Sequence, residues 1–195
     1  MANINAPFGL KLVKGIPGTG SETMVRCYIP STDANAVFIG DTVKVAGSAD
    51  ASGFHPTVAV CAAGNPIFGV VQEVFQVDGL GSSANYYRSH RPASTAMYVN
   101  VCVDPNALYE VQASGSIAAT DIGLNADLSM ATAGNTSFGI SGQKLDVAAM
   151  DTTATRQVKI MGLAKGAENE IGNYAKLIVK LNNAQLGSHT GTAGV

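Results

Sequence analysis

The segment "DPNALYEVQASGSIAATDIGLNADL", residues 104–128, carries the carboxylates of Asp104, Glu110, Asp121 and Asp127. Carboxylates gathered this closely are what general acid–base catalysis or a hard cation would require. Their spacing argues against both. Asp104 ends a strand-like run before Pro105, and Glu110 alternates with apolar Val111. Asp121, Asn125 and Asp127 are spaced like part of a calcium loop. Such a loop needs an oxygen ligand at its third position and a bidentate Glu at its twelfth, and those positions hold Gly123 and Thr132. A weakly held ion or a plain turn both fit; the pattern favours turns and strand edges.

Phosphate chemistry fares no better. "GIPGTGS", Gly15 to Ser21, follows the strand-like "LKLVK" but lacks the Lys that reaches the terminal phosphates. The strand-like "ETMVRCYI" follows it where a helix should start. "DGLGSSA" places Gly79, Gly81 and Ala84 at dinucleotide spacing. "NYYRSHRPAS" comes next, without the helix whose N-terminal amides would hold a pyrophosphate. His55, His90 and His189 are scattered, and no serine sits in a G-x-S-x-G turn. The reading is a protein with no catalytic residues, no metal ligands and no cofactor.

One short stretch concentrates aromatic and basic side chains: Tyr86, Tyr87, Arg88, His90 and Arg91 in "YYRSHRP". It suits contact with a partner or a glycan, and equally a solvated loop. Elsewhere charge is sparse. Charged residues are 13% of the chain, about half the usual ~25%. The deficit suggests neutral surfaces, some of them covered by partners. A net charge of -2 gives little attraction to phosphates, which argues against a nucleic-acid partner. No apolar stretch approaches the ~18 residues that span a bilayer. "MANINAPFGLKLVKG" lacks a signal peptide's continuous apolar segment, so synthesis in the cytoplasm is expected. Cys27, Cys61 and Cys102 lie in alternating apolar segments, as buried reduced thiols do.

The elements that would position any site are strands. Period-two alternation runs through "MVRCYI", "GDTVKV", "TVAVCA", "FGVVQEVFQVDG", "MYVNVCVD", "LYEVQASG", "RQVKIMGLAKG" and "YAKLIVKLN". Turn chemistry separates them, at Gly40-Asp41, Gly64-Asn65-Pro66, Asp78-Gly79, Asp104-Pro105-Asn106, Ser114-Gly115 and Gly134-Asn135. No segment sustains an amphipathic helix; "SIAATDIG" has room for one turn. The expected fold is all-β, a β-sandwich or jelly-roll-like domain over 11–186. Residues 1–10 form an extended N-terminal arm, and residues 187–195 a small-residue tail. In the arm, Pro7 interrupts regular pairing, while Phe8 and Leu10 are apolar. Either the arm lays Phe8 into a neighbouring subunit, or Phe8 and Leu10 begin the chain's own first strand.

Several blocks resemble the cement (capsid-decoration) proteins of tailed bacteriophages, in the same order: "NAPFGLKLVK", "GDTVKV", "IFGVVQEV", "YEVQASGSIAATDIGLNADL", "SGQKLDVAAM" and "VKIMGLAKGAENEIGNYAKLIVKLNN". Loop 79–92 and tail 187–195 stand outside the resemblance. It implies a β-sandwich on the outside of an icosahedral head, bridging subunits of the major capsid protein without catalysis. A homodimer or homotrimer would suit the local symmetry axes of such a shell. The alternative from another class is a host-surface or carbohydrate-binding module, whose mark would be a platform of exposed aromatics.

Overall fold

The computed structural model describes residues 3–15, 24–77, 85–186 and 194. The phosphate-like stretch after Gly15, the loop from Asp78 to Ala84 and nearly all of the C-terminal tail lie outside the described residues. The strands are β1 (Lys11–Gly15), β2 (Met24–Ile29), β3 (Val37–Phe38), β4 (Thr42–Ala49), β5 (Pro56–Val60), β6 (Gly69–Val77), β7 (Asn85–Arg88), β8 (His90–Arg91), β9 (Met97–Cys102), β10 (Ala107–Gln112), β11 (Asn125–Ala126), β12 (Leu128–Ser129), β13 (Lys144–Leu145), β14 (Val158–Leu163) and β15 (Lys176–Leu181). Among the described residues, helical structure is limited to single 3-10 turns at Ala119–Asp121 and Val147–Ala149. The chain is all-β.

Five strands close on themselves. They run β4–β5–β2–β9–β6, and β6 returns to β4 through Thr42↔Val70 and Val43↔Gly69. The β2–β5 pairing is parallel, through Tyr28↔Thr57, and the others are antiparallel. Closure requires Gly69, because a Cβ there would lie 2.3 Å from the Cys102 carbonyl oxygen. β-Branched residues fill the inside: Val43, Val58, Val71, Val99, Val101 and Ile29 are all buried in one cluster. Such side chains are stiff and suit a pleated surface. β7 extends the wall beyond β6.

The second unit of architecture is an antiparallel sheet in the order β1–β10–β15–β14–β11. Its inner face carries Tyr109, Val111, Val158, Ile160, Leu177 and Val179. These meet Val70, Cys102 and Cys61 from the outside of the barrel wall, with Leu10, Ile117, Leu128 and Leu145 between. Sheet and barrel therefore pack like the layers of a sandwich, one layer being a closed ring.

Buried amides knit the layers together. Gln157, fully buried, donates from Nε2 to the carbonyls of Ala62 (3.0 Å) and Asn65 (2.9 Å), and its Oε1 accepts from the Leu128 N–H (2.9 Å). Its own carbonyl accepts from the N–H groups of Asn182 and Asn183. One side chain thus bonds backbone groups from two separate segments, and its main chain holds a third, which burial would otherwise make costly.

Candidate interaction surface

The four carboxylates that open the sequence argument come apart in space. Asp104 accepts from the Asn106 N–H at 2.8 Å, and Asp121 accepts from the Ala118 N–H at 2.8 Å, each closing a local turn. Glu110 stands on the outer face of the sheet opposite Lys11. Asp127 and Asp151 grip Arg156, each with one oxygen 2.6 Å from a guanidinium nitrogen. Arg156 and the Thr153 N–H hold the Asp151 carboxyl well below the usual carboxylate range. This ion-paired trio had no signal in the spacing of the carboxylates alone. Among the described residues, no three His, Cys, Asp or Glu side chains are grouped to hold a metal ion. The three thiols are free and buried, and burial pushes Cys27 and Cys61 up to about 12.

The arm lies extended along its own domain. The Asn3 side chain donates to the carbonyls of Glu170 and Asn173, both at 2.9 Å. Gln112, fully buried, accepts from the Ala6 N–H (2.9 Å) and donates to the Ile4 carbonyl (2.8 Å). Gly9 has φ +70°, and a Cβ there would sit 2.4 Å from the Ser141 Cβ, so only glycine lets the arm pass. Leu10 is 1% exposed in the chain's own core. It is therefore not available to a neighbouring subunit. Pro7 and Phe8 are half-buried on the domain surface.

The aromatic–basic stretch divides as well. Tyr87 is 70% exposed, and Arg88, also exposed, donates to the Gln76 side chain at 3.0 Å. Tyr86 pairs through its backbone with Gln76. His90 stacks on Phe38 with centroids 5.1 Å apart. Arg91 departs most from expectation, being 0% exposed. Its guanidinium donates to the carbonyls of Thr95 (2.7 Å), Pro30 (2.7 Å), Asp33 (2.9 Å) and Asn35, with the Asp33 carboxylate 3.7 Å away. Arg91 is a structural pin, not a partner-binding side chain, because its guanidinium is buried inside the fold and its donors are directed at the chain's own carbonyls.

Two phenylalanines stand out where the sequence offered no sign of exposure. Phe54 is 83% exposed at the tip of the β4–β5 hairpin. The Asp50 carboxylate fixes that tip, accepting from Ser52 Oγ (2.8 Å), the Phe54 N–H (3.2 Å), the His55 N–H (3.3 Å) and Tyr98 Oη (3.2 Å). Burial would raise the Asp50 carboxyl, but these bonds outweigh it and lower it. Phe138 is 75% exposed. Its turn is held by Asn135, whose side chain accepts from the N–H groups of Ser137 (2.9 Å) and Phe138 (3.1 Å). Gly139 closes that turn with φ +71°, and a Cβ on it would lie 2.0 Å from the Ser89 carbonyl oxygen. Both rings are exposed on backbone that the fold has already ordered.

Near Phe138 an open groove of about 720 Å³ runs between the barrel and residues 130–136, lined by Phe38, Val60, Met130 and the buried carboxyl of Asp41. Burial raises Asp41 to about 6 despite hydrogen bonds from Ser141 and the Phe38 N–H.

Comparison with protein-family models, curated proteins and solved structures finds no match to this chain.

Proposed function

We propose that the chain is a non-catalytic structural protein that decorates the outer surface of a phage icosahedral capsid and cements neighbouring major capsid protein subunits. The observation that carries this reading is the mounting of Phe54 and Phe138 on hydrogen-bonded turns. A ring already held on an ordered turn loses little entropy when a partner covers it, and covering it removes apolar surface from water. The resemblance of the sequence blocks supplies the partner class. A ligand that prefers the assembled shell stabilises it by the difference in binding free energy, and bridging two subunits multiplies that effect.

Co-sedimentation of purified protein with expanded, empty capsids tests the reading. Wild type is expected to pellet with capsids, and the Phe54→Ser/Phe138→Ser variant to stay in the supernatant while remaining folded. Equal pelleting of both, or of neither, refutes it.

Tyr87 supports a second reading, carbohydrate binding by a virion module. Its exposed ring is backed by Phe75, 6.5 Å away, at the end of a row that continues through Tyr98 to Tyr28. Glycan-array binding that disappears in Tyr87→Ala would favour it.

A further inference from the structure

The groove between the barrel and residues 130–136 holds one charge and no partner for it. Phe38, Val60, Ala63, Met130 and Ala133 make its walls apolar, and its described lining includes no lysine, arginine or histidine. Asp41, 5% exposed, is the one carboxylate in that lining. The Phe38 N–H donates to it at 2.8 Å and Ser141 bonds it as well, yet burial still raises its carboxyl to about 6. At neutral pH it is therefore mostly ionised, without an ion pair to any described residue. A carboxylate kept from water gains most from a cation brought into the same dry place.

Gln143 adds a second polar group to the lining. It is 3% exposed, and its Oε1 accepts from the Thr42 N–H and hydroxyl, both at 3.1 Å. A backbone N–H can only donate, so the amide orientation is fixed and Nε2 is left without a hydrogen bond to any described residue. One free donor and one anionic acceptor in an apolar trough match a peptide carbonyl and a cationic side chain. The volume of about 720 Å³ has room for a few residues.

We propose that this groove takes a lysine side chain from a partner polypeptide, its ammonium meeting Asp41 while a neighbouring carbonyl of the same segment accepts from Gln143. The lysine stem is apolar along its length and suits these walls. Arginine suits them less, because a carboxylate that already accepts two bonds offers no open fork to a guanidinium. The groove's chemistry stands apart from the capsid reading, since peptide binding needs no capsid.

The test follows backbone amide shifts of the full chain by NMR as capped peptides are added. The probes are Ala-Val-Lys-Val-Ala and the same peptide with norleucine at its centre. Wild type is expected to bind the lysine peptide about tenfold more tightly, with shifts at residues 62–63 and 130–136. Asp41→Asn is expected to erase that preference. Ala63→Trp, which fills the groove from an exposed wall, is expected to weaken both peptides and serves should Asp41→Asn fold poorly. Affinity for the lysine peptide should fall about tenfold from pH 7.5 to pH 5, as the carboxyl takes up its proton. The other ionisable groups nearby are the Cys61 thiol, Lys44 close to it, and His90 stacked on Phe38. His90→Gln should leave the fall with pH intact. Equal binding of the two peptides, or a preference that survives Asp41→Asn, overturns the site. So does n-hexylamine binding as tightly as the lysine peptide, which would make the ligand a small amine. Self-association of the chain that Asp41→Asn abolishes would seat a second copy there and overturn the separate partner. If wild type misses capsids but prefers the lysine peptide, the capsid reading falls and the groove stands.

Discussion

The barrel and the sheet draw on the same alternating strands, yet they are held together differently. Barrel strands hydrogen-bond around a ring, so closure leaves no free edge within it, and valines fill the interior. The sheet is open at β1 and β11, and irregular chain covers its inner face. That chain stays in place through polar side chains: Gln157 at the junction, the Arg156 trio at the β11 edge, and Gln112 beneath the arm. Apolar alternation suffices where strands enclose a core, while loops that cover a sheet need specific hydrogen bonds as well.

The largest test of this contrast is its apparent exception. Arg91 anchors the chain at 30–35 beside the barrel with charge-assisted bonds. Arg91→Ala is expected to cost about 3–5 kcal/mol, as loss of one member of a buried ionic cluster does. Urea unfolding measures it, and a loss under about 1 kcal/mol would mean apolar closure alone holds that end of the molecule.

Gln157→Ala follows. It strips partners from two carbonyls and one N–H, so a loss of about 2–3 kcal/mol is expected. Hydrogen exchange should locate the damage in the amides of 62–67 and 126–130, with β2 and β9 still protected. Uniform loss of protection would show that the two units unfold as one.

Titration separates the regions by sign. Asp41, beside the groove at the barrel, has its carboxyl raised by burial from 3.8 to about 6. The folded chain therefore binds this proton more tightly than the unfolded chain. Its contribution is fully present below about pH 4 and lost as the pH climbs through 6, by something on the order of 2 kcal/mol. Thermal melts from pH 4 to 7.5 should show a decline that Asp41→Asn lacks. Asp151, at the sheet's β11 edge, behaves oppositely: its lowered carboxyl contributes above its unfolded value and is lost as the pH falls. Arg156→Gln should flatten the acid limb of the same melts and leave the limb above pH 5 unchanged. This is the smallest effect of the four, since Asp151 is partly solvated.

What the sequence disclosed was local. "MVRCYI" is β2 and "YAKLIVKLN" contains β15, because stiff apolar side chains at alternate positions bury the same face over every residue of a strand. "SIAATDIG" forms its single turn. Closure of the barrel was not legible. It rests on two short pairings, β2 with β5 and β4 with β6, whose partners lie far apart in sequence or run parallel. Arg91 was misread for a related reason: its partners are backbone carbonyls, which every residue has and no residue type advertises. The exposure of Phe54 and Phe138 was equally silent, since an apolar side chain in a turn reads the same whether it points in or out. The outer face of the sheet was half-legible: alternation separated the lysines of β15 from its leucines, but only register showed Lys159 beside Lys180.

The arm's anchorage has a consequence for synthesis. A ribosome releases Asn3 first, yet its acceptors are the carbonyls of residues 170 and 173. At about 5–20 residues per second, Asn3 waits roughly ten to thirty seconds for them to be made. Leu10, which donates its N–H to the Gly40 carbonyl, can find that partner much sooner. The arm should therefore dock from its inner end outward, with the Asn3 latch closing only after β14 and most of the chain have left the exit tunnel.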